Sequence, residues 1–355
     1  MARLDPLFKL LKDQGGSDLH LAAGMQPHMR QHGGVKPVGG WPTFSDESLR
    51  DHLKELANEK QWSHYGTNLD LDFAYALAGV GRFRANYFNQ ERGAAAVFRI
   101  IPEKIRSLED LKAPAALSAL ADLEQGLVLV TGPTGSGKST TLAAIVDLIN
   151  TKHSKHIVTI EDPVEFVHQN KKCTLSQREV GNDTKSFANA LRSAIRQDPG
   201  VILVGEMRDM ETIALAITAA EMGVLVFGTL HTNSAPKTID RVIDAFPTDQ
   251  QQQVRTMLSE SLAAVVSQLL LRTPDGRGRM AVHEILLKTP GLPNVIREGN
   301  TPMIISIIQS GKQLGMQSMD DVLFKLAEEG KISGEDAFHK ASNKSRFDQF
   351  VKELG

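Results

Sequence analysis

The sequence predicts an α/β protein: a small α+β domain followed by a larger domain built on a parallel sheet. Three observations lead there. A chain of 355 residues corresponds to about two domains of ordinary size. Up to about residue 100, short alternating strand patterns mix with charged helical runs. From Gln125 onward the apolar runs GLVLVTG, HIVTIED, VILVGE and GVLVFGTLHT each end in a glycine, an acid or a histidine, with helical stretches between them. Strands buried on both faces and joined by helices make a parallel sheet.

Taken in order, MARLDPLFKLLKD reads as a mildly amphipathic helix packed on its own domain. SDLHLAA is a strand, with Leu19 and Leu21 on one face, and PHMRQHG is a second. GGVKPVGGWP supplies turns. SDESLRDHLKELANEKQ is a charged helical run with Ser45 at its N-cap. LDLDFAYAL, GRFRANYFNQ and AAAVFRII are three strands of an antiparallel sheet. This first domain spans 1–100. Residues 101–113, polar and carrying Pro102, form the join, and 114–355 the second domain, opening with a helix in AALSALADLE. After the four apolar strands, Val254, Met257, Leu258, Leu262, Val265, Val266, Leu269 and Leu270 follow helical spacing and predict one long helix. The last seventy residues read as short helices.

Composition narrows the function. Hydrophobic residues make up 41% and charged residues 23%, enough for two cores. With 40 Lys and Arg against 42 Asp and Glu, net charge is -2, which disfavours nucleic acid as the main partner. Cys173 is the one cysteine, so no internal disulfide or four-cysteine zinc site is expected, and the chain reads as cytosolic. The opening stretch lacks the pattern of a secretory signal. No apolar run approaches the ~18 residues that span a bilayer.

GPTGSGKS, Gly132 to Ser139, fits G-x-x-x-x-G-K-[ST] between a strand and the helical run TTLAAIVDLI. Glycines let the backbone curl so that successive N–H groups face phosphate oxygens, and the helix that follows adds its N-terminal dipole. Gly132, Pro133, Thr134, Gly135, Ser136, Gly137, Lys138, Ser139 and Thr140 are therefore the candidate nucleotide-binding residues. Lys138 reaches the β and γ phosphates, and Ser139 offers a hydroxyl to Mg²⁺.

In a parallel sheet, ligands bind beyond the carboxyl ends of the strands. If VILVG lies beside the phosphate-loop strand, Glu206 emerges at the γ phosphate, to hold Mg²⁺ through water or orient an attacking water. The plainer alternative is an acid at a helix start, a place that suits Asp209 better. VTIEDPVEF puts Glu161 and Glu165 at another strand end, where Pro163 keeps Asp162 extended; they are candidates to polarise water or support the metal. His231 in GTLHTNSA ends the fourth strand, either contacting a phosphate or acid nearby or simply bonded within a turn. Residues 81 to 106 carry six Lys and Arg against Glu91 and Glu103. Arg82 and Arg84 share one strand face, with Phe83 on the other. They either reach a triphosphate, as an arginine finger does, or form a solvated face or anionic-lipid contact.

GPTGSGKS, VTIEDPVEF, RQDPGVILVGEMRD and GTLHTNSA, in this order, resemble the Walker A, Asp box, Walker B and His box of the secretion ATPase superfamily. Its type IV pilus retraction ATPases, PilT-like proteins, are the most similar branch, through SDLHL, GRFRANYF, AVFRIIP, TIDRVIDAFP, ESLAAVVSQLLL and LPNVIREG. The resemblance implies an N-terminal PAS-like domain and a C-terminal RecA-like P-loop ATPase domain. It implies a homohexamer with ATP and Mg²⁺ between the domains, working on an inner-membrane pilus platform protein from the cytoplasmic face. Glu206 and Glu161 would serve hydrolysis, with Glu206 and Ser139 at the metal. His231 would couple nucleotide state to domain movement, and Arg82, Arg84 and Arg99 would meet nucleotide or a neighbouring subunit. GLPNVIREG keeps Ile296, Arg297 and Glu298 of the family's retraction motif and departs before them; it is equally a packing stripe.

Extension and secretion motors of the superfamily carry a four-cysteine zinc element and an added N-terminal domain, which a lone Cys173 and a first domain of about a hundred residues do not match. An accessory, PilU-like retraction motor stays open. A RecA-like nucleic-acid translocase would want more basic charge and more than 5% aromatic residues for backbone tracking and base stacking. An ATP-binding scaffold without hydrolysis would not need Lys138, Ser139 and Glu206 together.

Overall fold

Apolar residues at every second position set up the first sheet. In the computed structural model, which describes residues 2–31, 34–101, 104–276 and 278–351, the chain forms two compact units. One comprises Met1–Lys104 with Asp162–Val167, the other Ile105–Glu161 with His168–Gly355. Two sequence expectations fall partly outside the described residues: His32 and Gly33 at the end of the second strand, and Pro102 and Glu103 in the 101–113 join.

The first unit begins with α1 (Asp5–Asp13), then β1 (Asp18–Ala22), β2 (His28–Gln31) and β3 (Gly34–Pro37). After α2 (Asp46–Lys54) and α3 (Glu59–Asn68) come β4 (Asp70–Leu77), β5 (Gly81–Gln90) and β6 (Gly93–Ile101). The strands pair antiparallel in the order β3-β2-β1-β6-β5-β4. On β5, Phe83, Ala85 and Tyr87 are fully buried while Arg84 between them is exposed, the period-two alternation of a half-buried strand. α1 lays Leu7, Phe8 and Leu11 on that apolar face, with the Phe8 ring 4.6 Å from Phe83 and 4.9 Å from Phe98. Ser45 caps α2 as its sequence suggests, accepting from the Ser48 N–H. The charged run is two helices, however. Asn58 and Gln61 close a capping box that starts α3 anew.

The second unit runs through α4 (Ala115–Ala119), β7 (Gly126–Thr131), α5 (Lys138–Lys152), β8 (His156–Glu161), β9 (Thr174–Glu179), α6 (Phe187–Ala194) and β10 (Val201–Val204). It continues with α7 (Met210–Glu221), β11 (Leu225–Leu230), α8 (Ala235–Asp244), α9 (Thr248–Ser261), β12 (Leu262–Arg272) and β13 (Arg279–Leu287). Short helices α10 (Leu292–Arg297), α11 (Ile304–Ser310), α12 (Met319–Glu328) and α13 (Gly334–Lys340) follow. The sheet order is β13-β12-β7-β11-β10-β8-β9, parallel throughout except for β13. Every residue of β7, β10 and β11 is buried, as strands covered by helices on both faces require. The α+β unit followed by a parallel-sheet unit is the fold class expected from the sequence.

Two further expectations are overturned. Gly34–Pro37, in the stretch read as turns, is strand β3 and pairs with β2. The stripe from Val254 to Leu270 is not one helix: α9 ends at Ser261, and Leu262 turns to extended backbone and begins β12. A run such as LAAVVSQLLL satisfies helical spacing and a doubly buried strand equally well. The slot between β7 and β13 decides for strand, because there both faces of the run are covered and its backbone pairs on both sides.

Replacing Phe83 by Ala should leave a cavity beside Phe8 and cost about 3–5 kcal/mol of stability, read as a lower midpoint in urea unfolding.

Candidate functional site

The phosphate loop occupies the turn between β7 and α5, and its glycines stand where side chains do not fit. Gly132 has φ +144°, and a Cβ there would lie 2.2 Å from the Gln268 carbonyl oxygen. Gly137, the N-cap of α5, has φ +88°. Glycine takes such conformations without steric cost. Lys138 folds back over the loop, its Nζ donating to the carbonyls of Gly132 at 2.7 Å and Pro133 at 3.2 Å. Ser139 is exposed in the first turn of α5, and Thr140 follows it half-buried. Ser136 Oγ is buried with no hydrogen-bond partner among the described residues. An orphaned hydroxyl inside a glycine-rich loop at a helix N-terminus fits a ligand rich in acceptor oxygens.

The parallel registers bring the other strand tips to the same edge of the sheet. Thr131 pairs with Leu230, Gly228 with Val204, and Val204 with Ile160. Along that edge the order is therefore phosphate loop, His231, Glu206, Glu161. Glu206 does not sit directly beside the phosphate-loop strand, as the sequence suggested. β11 intervenes, so β10 lies two strand spacings away, roughly 10 Å.

Glu206 is half-buried, and its Oε1 accepts from His231 Nε2 at 2.9 Å and from Arg208 Nε. Burial pushes its carboxyl upward, but the Arg208 and His231 bonds together outweigh that and hold it below its usual value, so it is ionised near neutral pH. The helix-cap role falls to Asp209, whose side chain accepts from the Thr212 N–H at 2.8 Å. The Gly205 N–H donates to the Ile160 carbonyl at 2.7 Å, and a Cβ at Gly205 would press on that oxygen at 3.0 Å. This close packing sets where the chain carrying Glu206 leaves the sheet. His231 does more than close a turn, since it meets the acid of the adjacent strand.

Glu161, at the end of β8, accepts from Thr159 Oγ1 at 2.7 Å and Gln177 Nε2 at 3.3 Å. No helix starts after it, and the Asp162–Pro163 peptide is cis. Glu165 lies in the Asp162–Val167 segment that groups with the first unit.

Arg82, Arg84 and Arg99 also belong to the first unit, and each has a partner there. Arg82 Nε donates to the Val164 carbonyl at 3.1 Å. Arg84 stands 3.7 Å from Asp72, both half-exposed, and Arg99 donates to the buried Asp18 at 2.7 Å. Burial raises the Asp18 carboxyl, but the Ser17 hydroxyl and the Arg99 guanidinium overcome it and hold it below its usual value.

Sequence reading missed the polar layer beneath the loop. Gln268 and His283 are 2% and 4% exposed, and Gln268 bonds Ser136, Thr141 and His283. Ser267 Oγ meets Thr131 Oγ1 at 2.9 Å. On β13 the buried Glu284 accepts from the N–H groups of Ala235 and Met319, at the starts of α8 and α12. The one available signal was a Ser-Gln pair interrupting an apolar run, which a helix reading treats as an ordinary polar flank.

The Ser139 hydroxyl and the ionised Glu206 carboxylate are the kind of oxygen donor that a hard cation takes. That sparse set fits Mg²⁺, which keeps waters and phosphate oxygens in its shell. Among the described residues, no group of three or more His, Cys, Asp or Glu could hold a metal, and no helix is long and apolar enough to cross a membrane.

Residues 78–277 match the family described as type II/IV secretion system protein. The chain is 52% identical over 334 residues to the type IV pilus retractation ATPase PilT of Pseudomonas aeruginosa, covering 94% of this chain and 96% of that protein. It is 41% identical to the type IV pilus ATPase PilU of the same organism, covering 98% and 91%. Among solved structures, the pilus retraction motor PilT with bound ADP superposes with a TM-score of 0.90 at 43% identity, covering 98% of this chain and 99% of that one. A glycine cradle with acidic strand tips at one sheet edge, inside a chain matched along nearly its whole length, makes this protein a member of the type II/IV secretion system protein family.

Proposed function

We propose that this chain is an ATP-hydrolysing motor that powers type IV pilus retraction. The observation that carries this reading is the phosphate loop at the same sheet edge as the ionised Glu206 and its His231 partner. The greater identity to the PilT relative, 52% against 41% for PilU, favours a retraction motor over an accessory one.

In this reading the backbone from Gly132 to Thr140 binds the phosphates of ATP, and Lys138 exchanges its loop carbonyls for β and γ oxygens. Ser139 and, through water, Glu206 would hold Mg²⁺, which neutralises charge developing on the transferred phosphoryl. Among the described residues Glu206 takes its Arg208 and His231 bonds on Oε1, and Oε2 would accept from the attacking water and aim it at the γ phosphorus. Glu161 supports that water from the next strand. His231, bonded to Glu206, transmits the loss of the γ phosphate to the loop ahead of α8.

Six copies acting in turn would convert these changes into movement of an inner-membrane pilus platform protein, at the cytoplasmic face. The arginines are the groups offered to nucleotide or to a neighbouring subunit. Arg84 can leave Asp72 at little cost, because an exposed pair at 3.7 Å contributes little stability. Arg99 is tied to the buried Asp18 carboxylate, whose charge it helps to balance.

Three variants test the assignment. Glu206→Gln should bind ATP normally and lose about a hundredfold or more in kcat, measured by phosphate release; wild-type turnover would remove Glu206 from the mechanism. Lys138→Ala should weaken nucleotide binding by at least about tenfold in a fluorescence titration, the worth of a lost charge-assisted bond. Unchanged affinity would contradict the loop assignment. Arg84→Ala should reduce turnover while shifting stability by no more than about 0.5 kcal/mol. A lower Tm with normal activity would make it a structural residue.

A further inference from the structure

Every bond of one buried side chain on β12 bears on the phosphate loop or on what holds that loop. Gln268 interrupts the apolar run LAAVVSQLLL, where a leucine would fill the space without a polar group to satisfy. Its Nε2 donates to the Ser136 carbonyl at 2.7 Å. Its Oε1 accepts from Thr141 Oγ1 at 2.8 Å and faces His283 Nε2 at 3.1 Å. Its own backbone carbonyl lies where a side chain on Gly132 would be, and its Nε2 lies 2.9 Å from where a Cβ on Gly137 would be.

We propose that Gln268 is a positioning residue that holds the phosphate loop in its anion-binding form, itself held by Thr141 and His283. The inference rests on the nucleotide reading of that loop and deepens it.

The peptide between Ser136 and Gly137 is the part of the loop that Gln268 fixes. In a trans peptide the C=O and the following N–H point in opposite directions. Bonding the Ser136 carbonyl to Gln268 therefore turns the Gly137 N–H away from the loop's floor, to the side where an anion meets the start of α5. A flip of that peptide would withdraw a donor and present a carbonyl oxygen to the phosphates. Gly137 at φ +88° has the freedom to make such a flip, so something must hold it.

The orientation of the amide follows from its partners. A carbonyl only accepts, so the NH₂ group must face Ser136 and the oxygen must face Thr141 and His283. The His283 ring consequently carries its proton on Nε2. Burial depresses His283 to about 4, so near neutral pH it is uncharged and offers that single N–H. Each member of the chain thus has one compatible arrangement, and the loop at its end inherits it.

Gln268→Glu is the discriminating variant. It preserves shape and the oxygen facing Thr141 and His283, but sets a carboxylate oxygen against the Ser136 carbonyl. Burial raises the pKa of such a carboxyl, and below that value its O–H donates to Ser136 again. ADP affinity is read by titration with a fluorescent ADP analogue, variant against wild type at each pH. The ratio of dissociation constants should be about tenfold near pH 8 and fall below about threefold near pH 6. A ratio near one at both values, or an unchanged loss at both, overturns the proposal, since a merely structural defect would not recover with acid. Gln268→Met, similar in size and without a donor, gives a second measurement. The rise in Tm that ADP produces should shrink to less than half the wild-type rise, and a rise of wild-type size overturns the proposal. Failure of the wild type itself to bind ADP would defeat the nucleotide reading of the loop, a separate result.

Discussion

Parallel pairing of β7, β11, β10 and β8 is the constraint on which the site depends. Each strand ends with a group that means little alone: a glycine loop, a histidine, a glutamate paired to it, and a second glutamate. Parallel registers with no slip between Thr131 and Leu230, or between Gly228 and Val204, place those ends on one edge. The helices that cover both faces keep the strands dry, and dry strands hold that register strongly. Glu206 and His231 are 25 residues apart in sequence and share a hydrogen bond because their strands are neighbours.

The glycine-rich turn ahead of α5 was legible because its physics is local. Positive φ at Gly132 and Gly137, the lysine and the hydroxyl all lie within eight residues, between a strand and a helix that announce themselves. Asp209 as a helix cap and Ser45 as another were legible for the same reason. Glu206 was legible as a strand-tip acid, yet its distance from the loop was not. Strand order is a tertiary property, and insertion of β11 between β7 and β10 leaves no trace in either strand's residues.

The polar layer beneath the loop shows the opposite limit. Ser267 and Gln268 sit in a stretch whose apolar spacing suits a helix as well as a strand. Once the run lies beside β7, those two polar residues fall under Thr131 and Ser136, and their burial becomes a matter of satisfied bonds. Glu284 illustrates the same point. As a lone acid in VHEILL it has no visible partner, but in the fold it receives N–H groups from two helix starts far apart in sequence.

The order of residues alone settled the fold class, α+β elements followed by a parallel sheet, the glycine-rich turn between a strand and a helix, and the acids and histidine at strand ends. Those features follow from backbone freedom, side-chain periodicity and capping, which act over a few neighbours. Three-dimensional packing settled which acid meets which base, that a run with helical spacing becomes β12, and that each arginine of the first sheet already has an oxygen partner. Hydrogen-bond partners across a sheet are chosen by strand order and register, and these emerge only when the whole apolar surface is buried at once.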